Sequence, residues 1–502
     1  MTQTLEKLET PRVKPSSDGD FPLIFERSKG GRRGVIPPQA DLARDLNLAE
    51  MFGAENLRSS APKLPEVSEL DLVRHYTGLA HRQFSVDANF YPLGSCTMKY
   101  NPKVHETVAA WFTDLHPYQD PTTAQGALEL LHTLASSLAT ITGMDAVTLQ
   151  PAAGAHGEFT GILMIRKYFE QRGELEQRRI VLCPDAAHGT NPATAAMAGF
   201  TVREIPGNAH GEVDFDALKA ALSPEVAAIM LTNPNTLGIF ETRILDIARA
   251  AHKHGIQLYY DGANLNAIVG HARPGDMGFD VIHLNLHKTF TVPHGGGGPG
   301  TGPVGVKAHL EPFLPTPIVG RNEQGTFILE SDRPHSIGRV RSFYGNFGNL
   351  VRAYAYIRSL GAEGLKNVSS MAVLNANYLR VRLEGQGFNI AYKRVNMHEF
   401  VATPPDGLRT LDFAKALLDY GMHPMTVYFP LVVAGSMMSE PTETESLETL
   451  DRYAEVLGEI LTRAREDRDW LEHAPYTTPV RRLDEVTAAK RPVLTYKKML
   501  SS

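Results

Sequence analysis

Between residues 146 and 288 one pattern recurs. A short, uninterrupted apolar run is followed by a turn and then by a stretch with apolar residues three and four apart. The apolar runs are "AVTLQ", "RRIVLCP", "TVREIP", "VAAIMLT", "IQLYYDGA" and "DVIHLNLHK". Between them lie "PAAGAHGEFTGILMIRKYFEQR", "NPATAAMAG", "DFDALKAAL" and "RILDIARAAHKHG". Strands apolar on both faces must be covered on both faces, and helices crossing between parallel strands provide that cover. The expectation is an α/β fold: a large domain with a mostly parallel sheet flanked by helices. There is no internal repeat.

The flanks read differently. Residues 1–65 are rich in Pro, Gly and charge and are expected to form an extended N-terminal arm with one short helix around "LARDLNLAEMF". The large domain is expected over 66–345. From 346 to 475 helical stretches ("LVRAYAYIRSL", "VSSMAVLNANYLRVRLEG", "TLDFAKALLDYG") mix with short strands ("FNIAY", "HEFVATP", "MTVYFP"), which predicts a smaller α+β C-terminal domain. Residues 476–502 read as a tail. Composition narrows the function. With a net charge of −6 and mixed signs throughout, neither a nucleic-acid partner nor a membrane surface is expected. Two cysteines in unrelated contexts, Cys96 and Cys183, exclude a disulfide framework and suggest a reducing, cytoplasmic setting. The opening "MTQTLEKLETPRVKP" carries acids, unlike a secretory or transit leader. No metal site is expected.

In open α/β sheets, ligands bind beyond the carboxyl ends of the strands. Here those ends read "QPAAGAHGE", "TNPNTLG", "DGANLN" and "NLHKT". They bring together an amine, Lys288, and an acid, Asp261. Pyridoxal phosphate needs both: a lysine to form a Schiff base with its aldehyde and a carboxylate to keep its ring nitrogen protonated. Its phosphate suits the helix start in "AAGAHG", at Gly154 and Ala155. His156 is placed to stack on the ring, and small Ala263 leaves room on the other side. The glycines at 295–298 would let the chain after the lysine turn sharply against cofactor or neighbour, although turn geometry alone also explains them.

The longer wording carries a resemblance. "LQPAAGAHGE", "DAAHGTNPATAAMAGF", "LTNPNTLGIFE", "YYDGANLNAIVG", "DMGFDVIHLNLHKTFTVPHGGGGPGTGPVGV" and "SFYGNFGN" together resemble the glycine decarboxylases, the P-proteins of the glycine cleavage system, which are fold-type I pyridoxal-phosphate enzymes. The likeness runs from "YPLGSCTMKYNP" to "APYTTPVRRLDE" and is closest to the lysine-bearing second subunit of the two-subunit form. It implies glycine as substrate, loss of carbon dioxide, and transfer of the aminomethyl group to the lipoyl arm of H-protein. It also implies a paralogous first subunit in an α₂β₂ assembly. By the same resemblance Asn264, Thr232 and Asn233 would supply donors to the ring's 3-oxygen, with turn chemistry as the alternative for each. Asn285 and His287 would touch the phosphate, and His188 is expected near the substrate. One conflict stands out. If the strand through "HLNLHK" stays regular, His283, Asn285 and His287 share one face and Lys288 the other, so Asn285 and Lys288 do not both reach the cofactor. Two other readings remain: a different pyridoxal-phosphate chemistry, such as a cysteine desulfurase or a stand-alone decarboxylase, and a scaffold with a decayed site.

Overall fold

The computed structural model describes residues 21–39, 41, 46–295 and 300–499. Of the predicted arm helix, residues 42–45 lie outside that set, as do residues 296–298 of the glycine run. The chain divides into two compact units, Met1–Ser85 with Tyr476–Ser502, and Val86–Pro475.

The first unit holds α1 (Leu48–Phe52) and α2 (Glu69–Ala80). Ser68 caps α2, and Asp71 returns a bond to the Ser68 amide, which satisfies donors that a helix start leaves open. Among its described residues His75 is the one that is buried.

In the second unit α3 (Lys103–Ala110) and α4 (Gln125–Thr142) precede the sheet. Leu128, Leu131, Leu134 and Leu138 recur at helical spacing on α4 and are all buried, and Gly143 ends the helix in the left-handed conformation that favours glycine (φ 72°). The elements that follow are β1 (Ala146–Thr148), α5 (Gly154–Gln171), β2 (Ile180–Pro184), α6 (Thr190–Met197), β3 (Thr201–Ile205), α7 (Phe215–Ala221), β4 (Val226–Thr232), α8 (Ile244–Lys253) and β5 (Gln257–Gly262). After them come β6 (Val281–Leu284), a single turn α9 (Leu286–Thr289) and β7 (Val304–Val306). The seven strands stand in the order β1-β7-β6-β5-β4-β2-β3. The pairs from β3 through β6 are parallel, and β7 is antiparallel to both β6 and β1. Alternation along each strand separates two cores. Leu258 and Tyr260 face the layer of α4 and α8, while Tyr259 faces α5 and α6. Asp261, two residues beyond Tyr259, falls on the α5/α6 side.

Two strand expectations change. "AVTLQ" forms a three-residue edge strand, antiparallel to its neighbour, rather than a central one. "DVIHLNLHK" stops being a strand at Leu284. There Leu284 and Leu286 donate to the carbonyls of Pro303 and Thr301, and Pro303 has no N–H to return a bond, so the ladder ends and the chain coils.

A hairpin of β8 (Ile318–Arg321) and β9 (Phe327–Glu330) leads to α10 (Phe347–Gln386), a pair of helices joined through Gly361 at φ 64°. The elements β10 (Asn389–Ile390), β11 (Phe400–Thr403), α11 (Thr410–Asp419), β12 (Thr426–Val427), β13 (Met437–Ser439), α12 (Leu447–Glu466) and α13 (Arg468–His473) follow, with an antiparallel sheet in the order β10-β11-β13-β12 and a core of their own. We call this the small domain. Among the described residues no helix is long and apolar enough to cross a membrane.

Candidate active site

Register assembles the acid end. Thr232, Asp261 and His283 are lateral neighbours across β4, β5 and β6. Asp261 is 2% exposed and is held from four directions. Its Oδ1 accepts from the Ala263 amide at 3.0 Å and lies 3.2 Å from His283 Nε2. Its Oδ2 accepts from Asn191 Nδ2 at 3.1 Å and from the Thr232 hydroxyl at 3.4 Å. Burial by itself would raise the Asp261 pKa. The charge and hydrogen bond of His283, then the amides of Ala263 and Asn191, override burial and keep the carboxyl ionised, well below the usual range. His283 moves the opposite way: burial opposes its charge, but Asp261 wins and raises its pKa. The other ring nitrogen, Nδ1, lies 3.0 Å from the Tyr259 hydroxyl, which fixes the ring. Glu158 of α5 is also buried here, and burial raises its pKa.

The amine end rests on the turn after β6. Lys288 and Thr289 N–H both donate to the Asn285 carbonyl, so Lys288 stands one helical turn beyond Asn285 and shares its side of the chain. The parity conflict of a continuous strand disappears. Lys288 Nζ donates to the Ser95 carbonyl at 2.9 Å. The amine also acts on its histidine neighbours. Burial, with His294 and Lys288, pushes His287 down to about 3, and burial with Lys288 pushes His294 down to about 4. Both rings are neutral at physiological pH, meet edge to face at 5.2 Å, and each has a buried ring nitrogen without a hydrogen-bond partner.

Helix α5 begins between these ends. A β-carbon at Gly154 would sit 2.0 Å from Asn285 Oδ1, and one at Gly157 would sit 2.3 Å from the Gly302 carbonyl. Only glycine lets the helix start approach the Lys288 turn this closely. Asn285 Oδ1 is buried and unpartnered. Ala155 is exposed on the first turn. His156 accepts from the Ala152 amide through Nδ1 at 3.1 Å, and burial, then Arg341, lowers its pKa. His188 uses Nδ1 to accept from the Thr190 amide at 3.2 Å, and its pKa is lowered by burial despite Asp261. Asn233 Oδ1 accepts from the Glu241 amide, leaving its buried Nδ2 without a partner. Asn264 is committed elsewhere: its Nδ2 donates to the Pro234 carbonyl and to Glu399 Oε1.

These residues fit pyridoxal phosphate on the chemistry of the set: an amine, a buried carboxylate held ionised, and a helix N-terminus that glycine keeps clear of side chains. Sequence reading passed over His283 as a partner of Asp261, and it missed Asn191, Glu158 and the segment at Ser95. Asn191, Glu158 and Ser95 lie within the quoted "AAHGTNPAT", "QPAAGAHGE" and "YPLGSCTMKYNP", but nothing local in those stretches pairs them with Asp261 or Lys288.

Comparison with known proteins gives concordant results. Residues 34–333 match the family model described as glycine cleavage system P-protein, and residues 368–474 match that of the glycine dehydrogenase C-terminal domain. The chain is similar to a protein of Thermus thermophilus named "Probable glycine dehydrogenase (decarboxylating) subunit 2", at 65% identity over 95% of this chain and 99% of that one. It is similar to a protein of the same name from Caldanaerobacter subterraneus subsp. tengcongensis, at 56% over 95% and 99%. Among solved structures, an inhibitor-bound glycine decarboxylase (P-protein) matches with TM-score 0.71 at 22% identity, covering 82% of this chain and 94% of that one. A cysteine desulfurase from Thermococcus onnurineus matches with TM-score 0.60 at 14% identity, covering 75% and 96%. These last two likenesses speak for the fold.

Proposed function

This chain belongs to the glycine cleavage system P-protein family, and on that premise we propose that Lys288 and Asp261 are the residues through which it carries out its glycine decarboxylation. The reaction depends on pyridoxal phosphate, which supplies an aldehyde for an amine to add to and a ring that takes up the electron pair left when carbon dioxide departs. The observation that carries the reading is the register of Thr232, Asp261 and His283 across β4, β5 and β6, with Lys288 on the turn just beyond the end of β6.

Each residue then has a task. Lys288 would present the amine that holds the cofactor, in place of which the amine of glycine would add. Asp261, kept ionised by His283, holds a proton at the ring nitrogen. The amides of Gly154 and Ala155 at the α5 start would receive the phosphate, with Asn285 and neutral His287 as further groups to hold it. His156 and Ala263 would flank the ring, and Asn233 Nδ2, buried without a partner, would be a donor to its 3-oxygen. His188 is proposed to meet the substrate. The desulfurase alternative needs a ready thiolate. Burial pushes Cys96 up to about 11 and Cys183 up to about 12, so neither thiol supplies one.

The aminomethyl group left after decarboxylation is proposed to pass to the lipoyl arm of H-protein. A paralogous subunit, as the "subunit 2" in the relatives' names suggests, is the proposed partner in an α₂β₂ assembly in the cytoplasm. In the unit of Met1–Ser85 with Tyr476–Ser502, Val35, Ile36, Leu64 and Leu494 are between 70% and 81% exposed. That is apolar surface suited to burial against another subunit. Glycine–bicarbonate exchange with lipoylated H-protein tests the whole reading. Exchange is expected when the paralogous subunit is present and little without it. Full exchange by this chain and H-protein alone would refute the need for a partner.

A further inference from the structure

The segment "GSCTMK" lies against the small domain. Gly94 donates to the Met438 carbonyl, and Glu440 N–H donates to the Pro92 carbonyl, so the segment continues the small sheet beside β13. From there alternate residues meet three carboxylates of that domain. Glu399 Oε2 accepts the Ser95 amide at 2.8 Å. Glu440 accepts the Thr97 amide at 2.9 Å and the Thr97 hydroxyl at 2.5 Å. Lys99 Nζ reaches Glu443 at 2.7 Å. Ser95 and Thr97 both have positive φ, 64° and 51°. Non-glycine residues hold that conformation when surrounding bonds impose it. The Ser95 carbonyl, on this constrained turn, is the group that receives Lys288 Nζ.

We propose that Glu399 and Glu440 are positioning residues for the Lys288 amine, a carboxylate pair of the small domain that fixes the turn at 95–97 and, through the Ser95 carbonyl, sets where the amine stands. The proposal rests on the reading of Lys288 given above.

The pair is fully buried, and its ligating oxygens lie within 4.8 Å of each other and of His398. Two carboxylates so close and so dry do not both stay ionised cheaply, and one proton between them is the stable arrangement at neutral pH. Burial and mutual repulsion push Glu399 well up, and burial pushes Glu440 up to about 7. His398 Nε2 stands 3.9 Å from Glu399 and 3.7 Å from Glu440, and both its ring nitrogens lack hydrogen-bond partners. Burial, then Lys288 and Lys99, holds that ring neutral, so it does not serve as the counter-ion. Glu443 is taken by Lys99, Cys96 stays a thiol, and His294 is neutral. The charge left on the pair therefore acts on Lys288, and on Lys99, which is already paired with Glu443. Losing the shared proton makes the pair doubly negative and favours the protonated form of the lysine nitrogen.

The test uses the full chain loaded with pyridoxal phosphate and two substitutions. Glu440→Ala removes the acceptor for Thr97. Glu440→Gln keeps an acceptor but cannot gain the second charge. Borohydride fixation followed by peptide mapping gives the rate at which Lys288 is tagged. The absorption of the lysine–cofactor adduct, titrated against pH, gives its protonation. We expect tagging at least about tenfold slower in Glu440→Ala, the scale of a misplaced reacting group. In Glu440→Gln we expect tagging near the unaltered rate and the pH midpoint lowered by about one unit, as for one lost charge nearby. Tagging and midpoint indifferent to both substitutions would overturn the proposal alone. A tag on another lysine in the unaltered chain would overturn the reading of Lys288 and this proposal with it.

Discussion

At the acid end of the site, Thr232, Asp261 and His283 sit side by side because three parallel strands are in register, and every oxygen of Asp261 has a partner. At the amine end, Lys288 stands on a single helical turn, its amine is received by a carbonyl from a segment 193 residues away in sequence, and the turn itself carries unpartnered polar atoms on Asn285, His287 and Thr289. The first end is part of the sheet and shares its rigidity. The second is a meeting of loops, with the small domain supplying the anchor. A site with one fixed charge and one adjustable amine suits chemistry in which the carboxylate keeps a single state while the lysine must bind, release and return.

The comparison breaks most sharply at Lys288. Lys288→Ala should abolish turnover and leave the cofactor weakly bound without the adduct absorption. Borohydride should then tag no residue at this position, and residual turnover near that of the unaltered chain would remove Lys288 from its role.

Asp261→Asn comes next. A neutral amide does not hold the ring nitrogen protonated, so turnover should fall at least about 10²-fold, the scale of losing one preorganised electrostatic partner. Cofactor affinity, measured by equilibrium titration, should change far less. Comparable losses in both would make Asp261 a binding residue only.

His283→Ala asks whether the acid end depends on its neighbour. Without the imidazole, burial is less opposed, and the Asp261 pKa should move up toward its ordinary range. We expect turnover to fall about tenfold, equivalent to about one pKa unit of lost support, and the acid limb of the pH–rate profile to shift upward. An unmoved acid limb would assign the stabilisation to Asn191 and the Ala263 amide.

The smallest effect separates the two ends by acid stability. His287 and His294 have folded pKa values lowered to about 3 and about 4. The unfolded chain gains protons on them below about pH 6.5 while the folded chain refuses them. Their stability is fully present above about pH 6.5 and is lost as pH falls toward 3–4. Asp261, with its pKa depressed, keeps contributing until pH falls below the ordinary carboxylate range. Thermal midpoints of His287→Gln should therefore fall less steeply with acid than those of the unaltered chain between about pH 6.5 and about 3, the window its two pKa values span. Parallel slopes would show that His287 titrates normally.

The sequence alone determined the layers of this protein and pointed to the two residues on which the proposed function rests. Runs such as "VAAIMLT" are buried at every position in the finished sheet, because a strand covered on both faces has no polar side to show. Lys288 and Asp261 were legible because an amine and an acid at apolar strand ends are costly unless used, and a local reading detects that cost. What the sequence withheld was decided by contacts between distant segments. The last four residues of "DVIHLNLHK" left the strand because Pro303, just before the neighbouring β7, returned no hydrogen bond. His283 became the partner of Asp261 through register, which is a property of two strands and is absent from either one. Glu399 and Glu440 reached the turn at Ser95 and Thr97 only because the small domain folds back on a segment 304 and 343 residues earlier in the chain. Periodicity and composition are local quantities, whereas the placement of a buried charge depends on whichever groups the tertiary fold brings within a few ångströms of it.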